Sequence, residues 1–222
     1  MKAFLNDPKV KEKYLNRVQA HFDADEIIQG VYWEKGRGCG VGCTIEGSDH
    51  SRYETELGIS RVIAKLEDRI FEGLENGESK EFPVKFLKAI KVGVDLSLVV
   101  PKFMLWLLSD PKDGVFQYAE TEQTKKAIQE VIDLYKKKLK GKEVTIEEWT
   151  EVRRDTTADT AAAAYAYAAA YAAYAADAAA YAADATACAA ASAFDTAAYK
   201  KAKTKHFSKE AKKLLSLLKQ AK

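Results

Sequence analysis

Between Ala158 and Ala198, 26 of 41 residues are alanine, and none is glycine or proline. Alanine has the highest intrinsic helix propensity and nothing in the segment breaks a helix, so its local answer is helix. The constraint is tertiary. One helix over some 45 residues would be roughly 68 Å long, whereas a compact chain of 222 residues has a radius of gyration of about 17 Å. The segment therefore divides into at least two helical pieces or protrudes. Asp155 to Thr160 is rich in helix-capping side chains, and Asp184-Ala185-Thr186 or Ser192 offers a weaker break.

Within this segment Tyr167, Tyr174, Tyr181 and Cys188 recur every seven residues, with Asp177 and Asp184 at the same interval. A helix apolar nearly all round sits inside something, so the stripe predicts packing in the body or a homo-oligomer interface. Expansion of Ala-Tyr units that merely keep a helix going is the alternative.

Charge is distributed in three regimes. Residues 1–154 carry 26 basic and 27 acidic side chains, residues 155–199 five Asp and no other charge, and residues 200–222 nine Lys and one Glu. The sum, +2, is far from the basic excess of a nucleic-acid protein, so no specific nucleic acid is expected as partner. Alanine studded with tyrosine is a poor membrane solute, and no membrane partner is expected either. Three cysteines cannot frame a disulfide scaffold, and Met1-Lys2-Ala3-Phe4-Leu5 has no apolar leader pattern, which predicts a reducing cytoplasm. Lys200 to Lys222 sets Phe207, Leu214, Leu215, Leu217 and Leu218 against its lysines, as an amphipathic helix docking on the body would.

Residues 1–154 read as a helical body. Asp7-Pro8 opens one helix and Ser60 a second, which Asn76-Gly77 ends; Pro83 starts a third, Pro101 a fourth and Thr124 a fifth. Thr145-Ile146-Glu147-Glu148 is a capping box. The fold class predicted is mainly α, a helical bundle with long Ala/Tyr-rich helices and one short β-hairpin near residues 31–45, with 155–222 packed on the body as one domain.

That hairpin is where period two replaces period 3.6. Its turn is placed at Lys35-Gly36-Arg37-Gly38, with Cys39, Val41 and Cys43 on one face of the second strand and Gly40 and Gly42 leaving the other face bare. A bare glycine face marks close approach by a helix or a flat ligand. The glycines lack a nucleotide-loop spacing. Cys39 and Cys43 with His50 and His21 lack a zinc-knuckle spacing, so neither metal nor cofactor is expected.

Ser48-Asp49-His50-Ser51-Arg52-Tyr53-Glu54 is the densest run of reactive side chains. Ser51-x-x-Glu54 reads as a capping box. No glycine elbow surrounds either serine, so His50 is the only catalytic candidate, as acid or base if the chain is an enzyme. Arg37, Arg52 and Arg61 offer planar donors, and Trp33 and Tyr53 offer rings. The expected ligand-binding set is Trp33, Arg37, Gly40, Gly42, His50, Tyr53 and Arg61. Glu67-Asp68-Arg69 reads as a solvated helix turn or an intramolecular pair.

The residues from Ala24-Asp25-Glu26 through Trp33, Gly38-Cys39-Gly40-Val41-Gly42-Cys43-Thr44, Asp49-His50-Ser51-Arg52-Tyr53-Glu54, Glu56-Leu57-Gly58-Ile59 and Leu66 to Leu74 resemble a phage and bacterial family that ends in Ala-Tyr-Asp helical repeats and carries the label of immunity protein. The resemblance covers most of the chain and carries over no catalytic residue. What it implies about function goes no further than that label. The expected function is non-enzymatic sequestration of a phosphate-bearing, nucleotide-derived signalling molecule. Action through a protein partner is the alternative, and a metal-free hydrolase using His50 the third.

Overall fold

The computed structural model describes residues 1–119, 121–155 and 196–222. The expectations resting on residues 156–195, namely the divided alanine helix, the tyrosine stripe and the self-association face, lie outside the described residues. Among those described, nine α-helices carry the chain: α1 (Pro8–Asp23), α2 (Gly40–Ile45), α3 (Arg52–Leu57), α4 (Arg61–Gly73), α5 (Asn76–Ala89), α6 (Val99–Ser109), α7 (Glu122–Leu139), α8 (Ile146–Asp155) and α9 (Thr196–Gln220). One antiparallel pair joins β1 (Trp33–Glu34) to β2 (Arg37–Gly38). The described residues are mainly helical with a single short hairpin, as the periodicity predicts.

The hairpin is shorter than expected. Trp33 pairs with Gly38 and Glu34 with Arg37, which leaves a two-residue turn in which Lys35 (φ 51°) and Gly36 (φ 82°) are both left-handed, as a type I′ turn requires. The predicted second strand ends at Gly38, and residues 40–45 are helical instead. Glycine, cysteine and valine alternate there without bulk enough for a strand face, and the Cys39 side chain caps the new helix, accepting from the Gly42 N–H at 3.3 Å.

The described residues form two compact units, Met1–Val99 with Phe207–Lys222, and Val100–His206. The boundary expected at 154/155 abuts residues outside the description. In the first unit Asp7 opens α1 by accepting the Lys9 N–H at 2.8 Å, with Pro8 in the first turn. Ser60 precedes α4 in extended conformation, but the Glu54 carboxylate, not a serine hydroxyl, takes the Arg61 N–H at 2.9 Å. Helix α4 buries Ile63, Leu66, Ile70 and Phe71 and stops at Gly73, earlier than Asn76-Gly77, which instead open α5. Pro83 lies inside α5, not at its start.

Two further features close this unit. Phe4, Leu5 and Asn6 are all left-handed (φ 54°, 53° and 59°), a conformation that costs a non-glycine residue about 1–2 kcal/mol, and Phe4 is fully buried there. Ala3 donates its N–H to Val94 O at 3.0 Å and Asp95 donates to Lys222 O at 2.9 Å. From Phe207 onward, α9 buries Phe207, Ala211, Leu214, Leu217 and Leu218 while Lys212 and Lys219 stay exposed. The Phe207 ring occupies the space over Gly73, where a β-carbon would lie 2.1 Å from it.

In the second unit α7 begins at Glu122, capped by Thr121, which accepts the Thr124 N–H at 3.1 Å. Helix α6 begins at Val99, so Pro101 sits in the first turn, where its missing N–H costs nothing. The capping box at α8 is formed: Thr145 Oγ1 accepts the Glu148 N–H at 3.3 Å and Glu148 accepts the Thr145 N–H at 2.9 Å. Tyr135 and Trp149 meet edge to face at 5.0 Å within the core. No helix among the described residues is long and apolar enough to cross a membrane.

Candidate functional site

Helix α2 is a short turn wedged into the first unit, and its glycines explain the wedge. A β-carbon on Gly40 would lie 2.4 Å from Pro83 Cγ, and one on Gly42 would lie 1.8 Å from the Tyr32 carbonyl oxygen. The bare glycine face is thus covered by the chain's own Pro83 and Tyr32. Thr44 Oγ1 donates to Gly40 O at 2.8 Å, and the Cys43 thiol to Gly38 O at 3.3 Å. Glu46, left-handed at φ 49°, ends the helix.

Seated at the start of this helix, Cys39 meets His50 from the following loop and Asp68 from the middle of α4. One ligating atom from each of the three lies within 4.8 Å of the other two. All three are buried, Cys39 completely, His50 at 4% and Asp68 at 8% exposure. Tyr53, Glu67 and Thr44, each fully buried, close the cluster. Both nitrogens of His50, the Tyr53 hydroxyl, both Glu67 oxygens and Asp68 Oδ1 make no hydrogen bond of normal geometry. A buried polar group left so costs about 1–3 kcal/mol.

Burial dominates the electrostatics. It pushes the Cys39 thiol up, and neighbouring Asp68 pushes it further. It holds Glu67 well above the carboxylate range and Tyr53 well above the phenol range, where the two also face one another. The His50 imidazole is held down by burial and by the Lys65 and Arg61 cations, with Asp68 opposing. Burial thus favours the uncharged forms of Cys39, His50, Tyr53 and Glu67 alike.

Outside it, the exposed Tyr32 ring stands edge-on to His50 at 5.0 Å, with Lys65 Nζ 5.8 Å from its centroid. Asp49 caps the loop, accepting from Ser51 N–H at 2.9 Å and Ser51 Oγ at 2.6 Å. The expected Ser51–Glu54 capping box is therefore not formed, since Asp49 supplies the acceptor and Glu54 serves α4.

Gly40, His50 and Tyr53 are brought together in and around the cluster, and Arg61 is exposed at the first residue of α4, close enough to act on His50. Gly42 is buried under Tyr32. Trp33 points the other way along the strand, edge-on to His21 at 5.4 Å, and Arg37 is exposed at the hairpin end, acting on Asp25. Of the two readings of Glu67-Asp68-Arg69, the solvated turn does not hold for Glu67 and Asp68, because α4 turns that face inward. Tyr32, Lys65, Glu67 and Asp68 are the site residues the sequence reading missed. In the longer hairpin read from the sequence, period-two alternation sets Tyr32 opposite to Trp33, which is the signal that points to Tyr32.

No family model matches this chain, nor does any curated protein or solved structure.

Proposed function

We propose that the protein is a non-catalytic binder of a phosphate-bearing, nucleotide-derived small molecule, acting as a phage-type anti-defence protein that withdraws a signalling molecule. The observation that carries this reading is the exposed Tyr32 ring edge-on to His50 with Lys65 Nζ 5.8 Å from its centroid, and Arg61 one turn earlier on α4 adding its charge to the same corner. A guanidinium recognises phosphate through a planar fork, and an aromatic ring takes the face of a base. The aromatic wall is Tyr32 in this arrangement, where the sequence had offered Trp33 or Tyr53.

The surroundings favour binding over turnover. Burial keeps Cys39 a thiol and pushes Cys43 up to about 12, so neither supplies a thiolate nucleophile. Ser51 Oγ is engaged with Asp49 and not with a base. Two buried, free thiols fit a reducing compartment, so the reading places the protein in the host cytoplasm.

Calorimetry against nucleotides and ADP-ribose derivatives, with product analysis after long incubation, tests the reading. Arg61→Ala is expected to weaken binding roughly ten- to a hundredfold without moving the thermal midpoint, and Tyr32→Ala to weaken it as well. Failure of every panel member to bind, or binding unchanged in both variants, overturns it; product formation lost in His50→Ala establishes a hydrolase instead.

A further inference from the structure

We infer that Cys39, His50 and Asp68 form a buried transition-metal site of the zinc class, with the thiolate, imidazole and carboxylate as its three protein ligands. The ligand set is mixed in softness, which suits zinc and disfavours magnesium or calcium, whose partners are all oxygen. Tetrahedral zinc places such donors roughly 3.3–3.8 Å apart. Donors that already lie within 4.8 Å of one another need to close by about an ångström.

The alternative for these residue types is a nucleophile with its base and orienting acid. In such a relay the imidazole stands between thiol and carboxylate. Here the thiol and the carboxylate are also neighbours, so the three donors surround one point, as the ligands of a single cation do. On uptake, the Cys39 S–H bond breaks, sulfur keeps the electron pair and bonds the metal, and the proton leaves to solvent. The same ion gives a His50 nitrogen an acceptor for its lone pair and sets positive charge against two consecutive buried acidic residues, Glu67 and Asp68.

Spacing along the chain does not show this site. The Cys39-x-x-x-Cys43 spacing points to a pair, but Cys43 donates to Gly38 O, and the third ligand comes from α4. The inference stands apart from the ligand reading, since nucleotide calorimetry reads Arg61 and Tyr32 whereas metal uptake reads Cys39 and Asp68.

The test uses the full chain without a histidine tag, expressed with zinc and dialysed, with metal measured by mass spectrometry. Wild type and Cys43→Ser are expected to hold about one zinc per chain, and Cys39→Ser and Asp68→Asn less than about a tenth of that. Cobalt added to chelator-stripped wild type is expected to give a thiolate-to-cobalt charge-transfer band and tetrahedral absorption. That spectrum needs no variant to fold. Substoichiometric zinc together with no cobalt band overturns the inference, as does Cys43→Ser losing metal as fully as Cys39→Ser.

Discussion

Gly42 packs directly against the carbonyl oxygen of Tyr32, which would lie 1.8 Å from any β-carbon at position 42. The obstacle is backbone, so it cannot rotate aside. Gly42→Ala is expected to cost about 1–3 kcal/mol and to lower the thermal midpoint by roughly 3–10 °C. Gly77, with nothing within 4 Å of its β-carbon position and a place in the first turn of α5, is the control. Gly77→Ala is expected to raise stability by about 0.5 kcal/mol. Equal midpoints for the two variants in a thermal melt would refute the packing argument.

Glu56 sets a pH response. The Arg52 guanidinium, and then the Tyr14 hydroxyl, hold its carboxyl below the usual range. A group depressed in the folded state stabilises above its unfolded value, 4.5, and that contribution fades as pH falls through the folded one. Glu56→Gln is therefore expected to lower stability at pH 7, by about 1 kcal/mol after solvent screening, and its difference from wild type to shrink as pH falls below 4.5. Burial and Glu56 push Tyr14 up to about 12. A raised folded value makes its contribution complete below 10 and lost as pH rises toward 12. Midpoints measured across both arms check the sign.

The Thr145–Glu148 box fixes the start of α8. Thr145→Ala is expected to cost about 1 kcal/mol, and amide hydrogen exchange at Glu148 should accelerate more than exchange within α7. Uniform acceleration across the second unit would place the effect elsewhere.

The C-terminal helix docks through its apolar stripe. Phe207 is 1% exposed and fills the space over Gly73, so Phe207→Ala is expected to lose about 3–4 kcal/mol in urea denaturation. Lys212→Ala, on the exposed face, should stay within about 0.5 kcal/mol of wild type. A reversed order would show that the lysine face carries the docking.

Helix starts were legible where a capping side chain acts locally. Asp7 and Thr145 bond to amides two and three residues on, within the reach of sequence pattern. Pro83 misled because proline favours a first turn, whereas α5 carries it internally with its ring against Gly40. Helix α2 was illegible because small alternating residues mimic a strand, and a Cys39 cap has no strong sequence signature. The Cys39–His50–Asp68 cluster draws on a hairpin end, a loop and a helix interior, so no local spacing encodes it. Charged triplets such as Glu67-Asp68-Arg69 read as solvated until the inward face of α4 is known.

Ala3 and Lys222 are bonded to neighbouring residues, Val94 and Asp95, of one loop, so residues 3 and 222 lie close together in the first unit. Linking the chain's ends with a few flexible residues adds little closure entropy. New ends can then be opened at the exposed Gly141-Lys142 turn. Helices α8 and α9 would then leave the ribosome before α1 to α7, while every hydrogen bond at the 93–95 loop stays available. A circularly permuted chain built this way is expected to reach the same fold, and a loss of its helical signal would show that the order of elements matters to the first unit.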